Sequence, residues 1–223
     1  MDVKLFFQAV GKFLAGLLLV GLLVFLPAGT LRFWNGWLLI LILFVPMFAA
    51  GLVLLVRNPD LLRKRLNAKE EEGAQKAVLV LSALMFFAAF LVAGLNYRFG
   101  WIPLPRWAAL LAAAVFLAGY VLYAEVLREN AYLSRTIEVQ AHQKVVDTGL
   151  YGVVRHPMYA ATLLLFLSMG FVLGSPLSAL ILLAYLPIIA KRIRNEEAVL
   201  LEGLEGYADY RNRVKYKLIP FIW

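Results

Sequence analysis

Four runs in this sequence, residues 5–26, 33–56, 77–95 and 107–127, are each long and apolar enough to cross a bilayer as a helix. The hydrocarbon core is about 30 Å thick, and a helix needs about 20 apolar residues to cross it. Lipid offers no partner to a backbone N–H or C=O, so such a chain must fold into helices that satisfy their own hydrogen bonds. Two shorter runs, 157–173 and 176–190, are joined through Gly174-Ser175-Pro176. The expected fold class is therefore all-α: a polytopic integral membrane helical bundle of about six spans, with a short C-terminal helical hairpin. Pro187 falls in the middle of the last run, where its missing N–H frees a carbonyl one turn back. The first run is too long for a signal-peptide core and no small-x-small site follows it, so it is read as a retained span.

The formal net charge is +8, which invites a nucleic-acid partner, but the placement of the charge argues otherwise. With a cytoplasmic N-terminus and six spans, 19 of the 22 Lys and Arg residues fall on the cytoplasmic side, leaving Arg32, Arg98 and Arg106 outside. This is the positive-inside asymmetry. The charge is topological, with some attraction to anionic lipid headgroups. No nucleic-acid partner is expected, and both termini are placed in the cytoplasm. The chain has no cysteine, which excludes disulfides, thiol catalysis and cysteine metal sites. Two histidines, His142 and His156, are too few for a histidine-rich metal site, so no metal is expected. The lack of cysteine and of glycosylation-rich loops favours a prokaryotic inner membrane.

Residues 1–127 read as a membrane scaffold, in which Gly16, Gly21, Gly51, Ala88 and Ala112 offer close helix contacts. The connector 57–76 is favoured as a solvated loop. Asn58-Pro59-Asp60 marks a turn or helix start, and Leu61, Leu62 and Leu66 share a helical face, so an interfacial helix is the alternative. Residues 128–223 read as the cofactor-binding and catalytic region.

The polar residues gather at one end: Glu125, Glu129, Tyr151, Arg155, His156, Tyr159, Arg192, Arg194, Glu196 and Glu197. His156 and Tyr159 are three apart and share a face if a helix starts at Pro157, a favourable first position. A helix start presents free N–H groups to an anion. Arg192 and Glu196 are four apart and adjacent on a helix. An arginine grips a carboxylate bidentately, and a glutamate holds an ammonium or ribose hydroxyls. The combination fits a zwitterionic amino-acid moiety or a nucleoside-containing cofactor. There is no Gly-x-Gly-x-x-Gly turn after a strand and no Walker lysine motif, so the site must be built from helix ends and loops. Glu125 and Glu129 read as structural partners of Arg128 or Arg155, and Tyr207 and Tyr210 as interfacial belt residues.

Gly149-Leu-Tyr151-(x)3-Arg155-His156-Pro157-Met-Tyr159, then Arg192-(x)3-Glu196-Glu197-(x)2-Leu200, then Tyr207-(x)2-Tyr210 and Pro220, resembles the isoprenylcysteine carboxyl methyltransferase family. That family is related to the membrane phospholipid N-methyltransferases. The resemblance is strongest over residues 128–223, with Asn58-Pro-Asp-Leu-Leu-(x)2-Arg65 also similar. It implies a membrane methyltransferase that uses S-adenosyl-L-methionine and a lipophilic or prenylated acceptor. Carried over, the cofactor pocket would include Gln143, Lys144, Val145, Val146, Tyr151, His156, Pro157, Met158, Tyr159 and Glu196. Glu138 or Gln140 would add a further polar contact, and the spacing does not settle which. Arg192 would lie by the methyl acceptor and, with Glu196, form the catalytic pair. The chain departs from the family at Leu204-Glu-Gly-Tyr207, where Gly-Glu-Glu-Tyr is common. The acceptor favoured is the carboxylate of an isoprenylcysteine-like molecule, with a phospholipid or other amine as the alternative. A reductase resembling the NADPH-dependent membrane sterol reductases, which share an Arg-His-x-x-Tyr element, and a small transporter are the competing classes.

Overall fold

The computed structural model describes residues 3–66, 73–133, 137 and 139–223, with side chains from residue 76 onward in the second stretch. Among these residues every regular element is helical. The order is α1 (Val3–Ala28), α2 (Trp34–Arg57), α3 (Pro59–Leu66), α4 (Gly73–Phe99), α5 (Arg106–Glu129), a 3-10 turn (Gly149–Gly152), α6 (Pro157–Val172), α7 (Pro176–Leu182), α8 (Tyr185–Gly203) and α9 (Tyr207–Arg213). Five stretches are long and apolar enough to cross a membrane: α1, α2, α4, α5 and the α7–α8 pair. The expected sixth is α6, whose 16 residues leave it shorter than the others. Leu14, Leu18, Leu41, Leu84 and Val121 are among many large apolar side chains left exposed, as lipid requires.

The bend between α7 and α8 lies one turn before Pro187. In an unbroken helix the Leu183 carbonyl would accept from residue 187, but proline has no N–H. Leu186 N–H donates to it instead at 3.0 Å, while Leu183 and Ala184 N–H donate to the Leu180 and Ile181 carbonyls at 3.2 and 3.0 Å. These are the tighter bonds of a 3-10 turn. The apolar run ends at Ala190, yet α8 continues to Gly203. Its later residues are good helix formers, and among them Arg192 and Glu196 turn toward a pocket.

At the end of the bundle remote from that pocket, two asparagines fix the α6–α7 turn. Asn35 Nδ2 donates to the Val172 carbonyl at 2.8 Å, and Asn96 Nδ2 donates to the Gly174 carbonyl at 3.3 Å. Gly174 has φ +69°, and Ser175 Oγ caps α7 by accepting from Ser178 N–H at 3.2 Å. The two amide side chains give these backbone carbonyls the partners that lipid would not, while the buried Ser178 hydroxyl makes no hydrogen bond.

Of the small residues expected at helix contacts, Ala112 is buried in the core, but the three glycines make no close crossing. A Cβ on Gly21 or Gly51 would meet nothing within 4 Å, and one on Gly16 would only touch Phe44 at 3.8 Å. The tight contacts are at Gly94 and Gly170. A Cβ on Gly94 would lie 2.9 Å from Ala28 N in α1, and one on Gly170 would lie 2.3 Å from Ala179 N in α7. Gly170→Ala is therefore expected to force the α6–α7 hairpin apart. It should cost at least the roughly 1–3 kcal/mol of core overpacking, because the obstacle is backbone. Thermal melts in detergent read the loss directly.

The 57–76 connector also departs from the favoured solvated loop over its first part. Residues 59–66 form α3, with Leu61 and Leu62 buried. Asn58 Oδ1 accepts from Leu61 N–H at 3.1 Å, an N-cap that starts the helix, and Pro59 occupies its first position.

Candidate active site

The site is assembled at the end of the bundle where α5 stops, α6 starts and the polar half of α8 emerges. The chain leaves α5 at Glu129 and returns through the turn at Gly149. Glu129 Oε2 accepts from Leu150 N–H at 3.0 Å, and a Cβ on Gly149, whose φ is +50°, would lie 1.5 Å from Glu129 Oε1. Glu129 thus holds the turn and Gly149 makes room for it. Gly149→Ala is expected to loosen the turn and weaken ligand binding in the pocket with little loss of helix content, as circular dichroism and ligand titration would show. Tyr151 is tied at both ends: its OH accepts from Asn130 Nδ2 at 2.9 Å, and its carbonyl accepts from Tyr210 OH at 2.8 Å.

Arg155, His156 and Glu197 form a buried cluster. Arg155 Nε donates to Glu197 Oε1 at 2.8 Å, and His156 Nε2 lies 3.2 Å from the same oxygen. Lys217 Nζ stands 3.4 Å from Glu197 Oε2. The other side of Arg155 grips the C-terminal strap, donating from one guanidinium nitrogen to the Val214 and Lys215 carbonyls at 2.7 and 2.8 Å. The backbone adds to this: Arg155 and His156 N–H donate to the Tyr216 and Lys217 carbonyls, both at 2.9 Å. The structural partner of Arg155 is therefore Glu197. Glu125 pairs with Arg128 at 2.5 Å, as expected.

Glu196, the neighbour of Glu197, faces the other way. It lines a pocket of about 840 Å³, measured out to its open mouth. Gln143, Lys144, Val145, Val146, Tyr151, His156, Met158, Tyr159, Arg192 and Glu196 all line this pocket, so most of the residues singled out from the sequence come together. Three do not. Pro157 is fully buried as the first residue of α6. Gln140 stands behind the wall, where its side chain accepts from Lys64 Nζ at 2.5 Å and donates to the Tyr132 carbonyl at 2.6 Å. Glu138 lies outside the described residues.

Several lining residues were not anticipated. Leu200 and Leu204 continue the face of α8 begun by Arg192 and Glu196, a four-residue spacing that was readable once the helix was known to continue. Asn130, Tyr132, Leu133 and Ile137 come from the loop after α5. Tyr207 and Tyr210 are pocket residues, buried to 4% and 2% exposure, not belt residues. They turn inward because Gly206, at φ +81°, reverses the chain into α9.

The pocket is electrostatically mixed. Lys144, Arg155 and Arg192 are its cations, and Glu196 is its carboxylate. Arg192 Nε donates to Tyr159 OH at 2.9 Å, and the guanidinium lies 5.9 Å from the centre of that ring. The imidazole of His156 stacks on Tyr159 with centroids 5.7 Å apart. His156 Nδ1 is 3.7 Å from Glu196 Oε2, beyond hydrogen-bond reach. Glu196 Oε2 and Tyr207 OH are both buried and make no hydrogen bond. Buried polar atoms without partners are rare in folded proteins. Of four such atoms among the described residues, these two stand on the wall of this pocket, and Ser178 Oγ and Asn195 Nδ2 lie outside it. Burial pushes the Tyr151, Tyr207 and Tyr210 phenols well above their usual range, so each remains a neutral hydrogen-bonding group. Among the described residues no His, Asp and Glu group is arranged to hold a metal ion.

Residues 107–205 match the phospholipid methyltransferase family. This stretch runs from α5 to just past α8 and supplies most of the pocket wall. The solved structure of a eukaryotic intramembrane Ras methyltransferase, isoprenylcysteine carboxyl methyltransferase, has the same fold with a TM-score of 0.53. It is 20% identical, over 99% of this chain and 85% of that one. No curated protein matches the sequence. The family match over the pocket-building segment and the shared polytopic fold agree with the motif resemblance.

Proposed function

We propose that this protein transfers a methyl group from S-adenosyl-L-methionine to a lipophilic carboxylate, of which an isoprenylcysteine is the type. The observation that carries this reading is the presence, in one pocket, of a buried carboxylate oxygen on Glu196 that makes no hydrogen bond and of the guanidinium of Arg192. When bound, the cofactor supplies an electrophilic methyl group on a sulfonium. Glu196 Oε2 and Tyr207 OH would meet its ammonium or ribose hydroxyls, and Lys144 would meet its carboxylate. Val145, Val146, Leu200 and Leu204 offer apolar surface for a nucleobase.

A carboxylate acceptor is already ionised at neutral pH and needs no base. What it needs is alignment with the methyl group, and orientation of that kind accounts for much of the acceleration in such reactions. Arg192 would hold the acceptor carboxylate bidentately, and Tyr159 would hold Arg192, leaving the guanidinium few other orientations. Arg192→Ala is expected to lower methyl transfer about 100-fold with cofactor affinity nearly unchanged. Incorporation of labelled methyl into a farnesylated cysteine derivative measures this. Undiminished transfer would remove Arg192 from the mechanism.

The match to the phospholipid methyltransferase family favours a second reading, in which the acceptor is a lipid amine. An amine must lose a proton, and Glu196 or His156 would serve as the base. Supplying the same assay with phosphatidylethanolamine separates the two readings by which lipid becomes labelled.

A further inference from the structure

A second cavity lies on the opposite flank of α8, between α4 and the bend made by Pro187. Its volume is about 1050 Å³ out to its mouth. Leu81, Leu84 and Met85 line it from α4, and Pro187 and Ile188 from α8. Lys191 and Arg194 stand at one end. No residue lines both this cavity and the active-site pocket. The separation follows from helix geometry: positions 187, 191 and 194 share one face of α8, while 192 and 196 occupy another.

The groove is amphiphilic in one direction. Residues 184–194 run along it, and at 1.5 Å per residue they span about 15 Å. That is about half of the roughly 30 Å hydrocarbon core, the depth of one leaflet. The cations sit at the basic end of the bundle, where headgroups meet water. Both are exposed, and among the described residues no carboxylate pairs with either.

We infer that this groove binds an anionic glycerophospholipid of the leaflet at the basic end, with its phosphate on Lys191 and Arg194 and an acyl chain against α4. Charge complementarity selects the headgroup, and the apolar walls take the chain. The site is separate from the methyl acceptor's, because its cations point away from Glu196. An occupant there would pack against α8, the helix that carries Arg192 and Glu196.

The test uses the purified full-length protein in detergent, supplied with phosphatidylglycerol or phosphatidylcholine of identical acyl chains. Bound lipid is counted by native mass spectrometry. Two headgroup cations should favour phosphatidylglycerol by roughly 30-fold at low salt. The double variant K191Q/R194Q should bind the two lipids equally, with an unchanged size-exclusion profile. Leu84→Trp, which fills the groove and leaves the cations, should reduce retention of both lipids. Equal retention of the two lipids by the native protein would overturn the assignment. So would a phosphatidylglycerol preference that survives in the double variant, or displacement of the lipid by a farnesylated methyl acceptor. None of these readouts depends on methyl transfer.

Discussion

Arg155→Ala is expected to destabilise the protein by about 3–5 kcal/mol, a fall in Tm on the order of 10 °C, and to free the C-terminal strap. Arg155 joins three parts of the chain: its own turn before α6, Glu197 on α8, and the carbonyls of Val214 and Lys215. Removing it leaves the Glu197 carboxylate, 7% exposed, with only the imidazole of His156 and the ammonium of Lys217 nearby. A buried charge that loses its main partner is far more costly than the pair was favourable. Arg155→Lys is not expected to rescue the strap, because an ammonium cannot reproduce the planar fork that reaches a carboxylate and two carbonyls together. Thermal melts measure the loss of stability. Limited proteolysis after Arg213 reads the release of the strap, which the native protein should resist.

Glu196→Ala should behave in the opposite way, with stability nearly unchanged and ligand binding and turnover strongly reduced. The carboxylate sits on the pocket wall with Oε2 making no hydrogen bond, so its removal breaks little inside the fold. A hydrogen bond to a charged ligand group contributes about 1.5–3 kcal/mol. The affinity for S-adenosylhomocysteine, measured by isothermal titration calorimetry, should therefore fall roughly tenfold to a hundredfold. Turnover at limiting cofactor should fall at least as far. Two adjacent glutamates thus differ in place, with Glu197 inside the Arg155 cluster and Glu196 on the pocket wall. A melt and a titration on the same two variants separate these roles.

The motif resemblance assigned Glu196 to the pocket, but helical spacing alone could not give that division. Neighbouring residues on a helix point about 100° apart, and which of the two faces the pocket depends on where Arg155 stands. Arg155 is fixed in turn by the strap, nearly sixty residues further on. The spans were legible because a bilayer imposes length and composition on any helix that crosses it. The α7–α8 bend was legible because the covalent structure of Pro187 forbids the bond that would bridge it. The start of α6 was legible from His156-Pro157, although Pro157 acts only as the first helical residue and does not reach the pocket.

Other features were hidden for identifiable reasons. Gly16, Gly21 and Gly51 are as small as Gly94 and Gly170, and composition does not say where two helices cross. Tyr207 and Tyr210 have the chemistry of belt residues, and only the reversal at Gly206 turns them inward. The walls contributed by Asn130, Tyr132 and Leu133 lie on irregular chain, where position is set by individual hydrogen bonds such as Tyr132 N–H to Asn130 Oδ1 at 2.9 Å.

The central claim is that the pocket between His156 and Glu196 holds an adenosyl sulfonium cofactor. Its most direct test is thermal unfolding of the purified protein titrated with S-adenosylhomocysteine and, separately, with NADPH. The account predicts stabilisation by S-adenosylhomocysteine, reaching about 2.7 kcal/mol at a hundredfold excess over its Kd, and none by NADPH. Stabilisation by NADPH with no response to S-adenosylhomocysteine would contradict it.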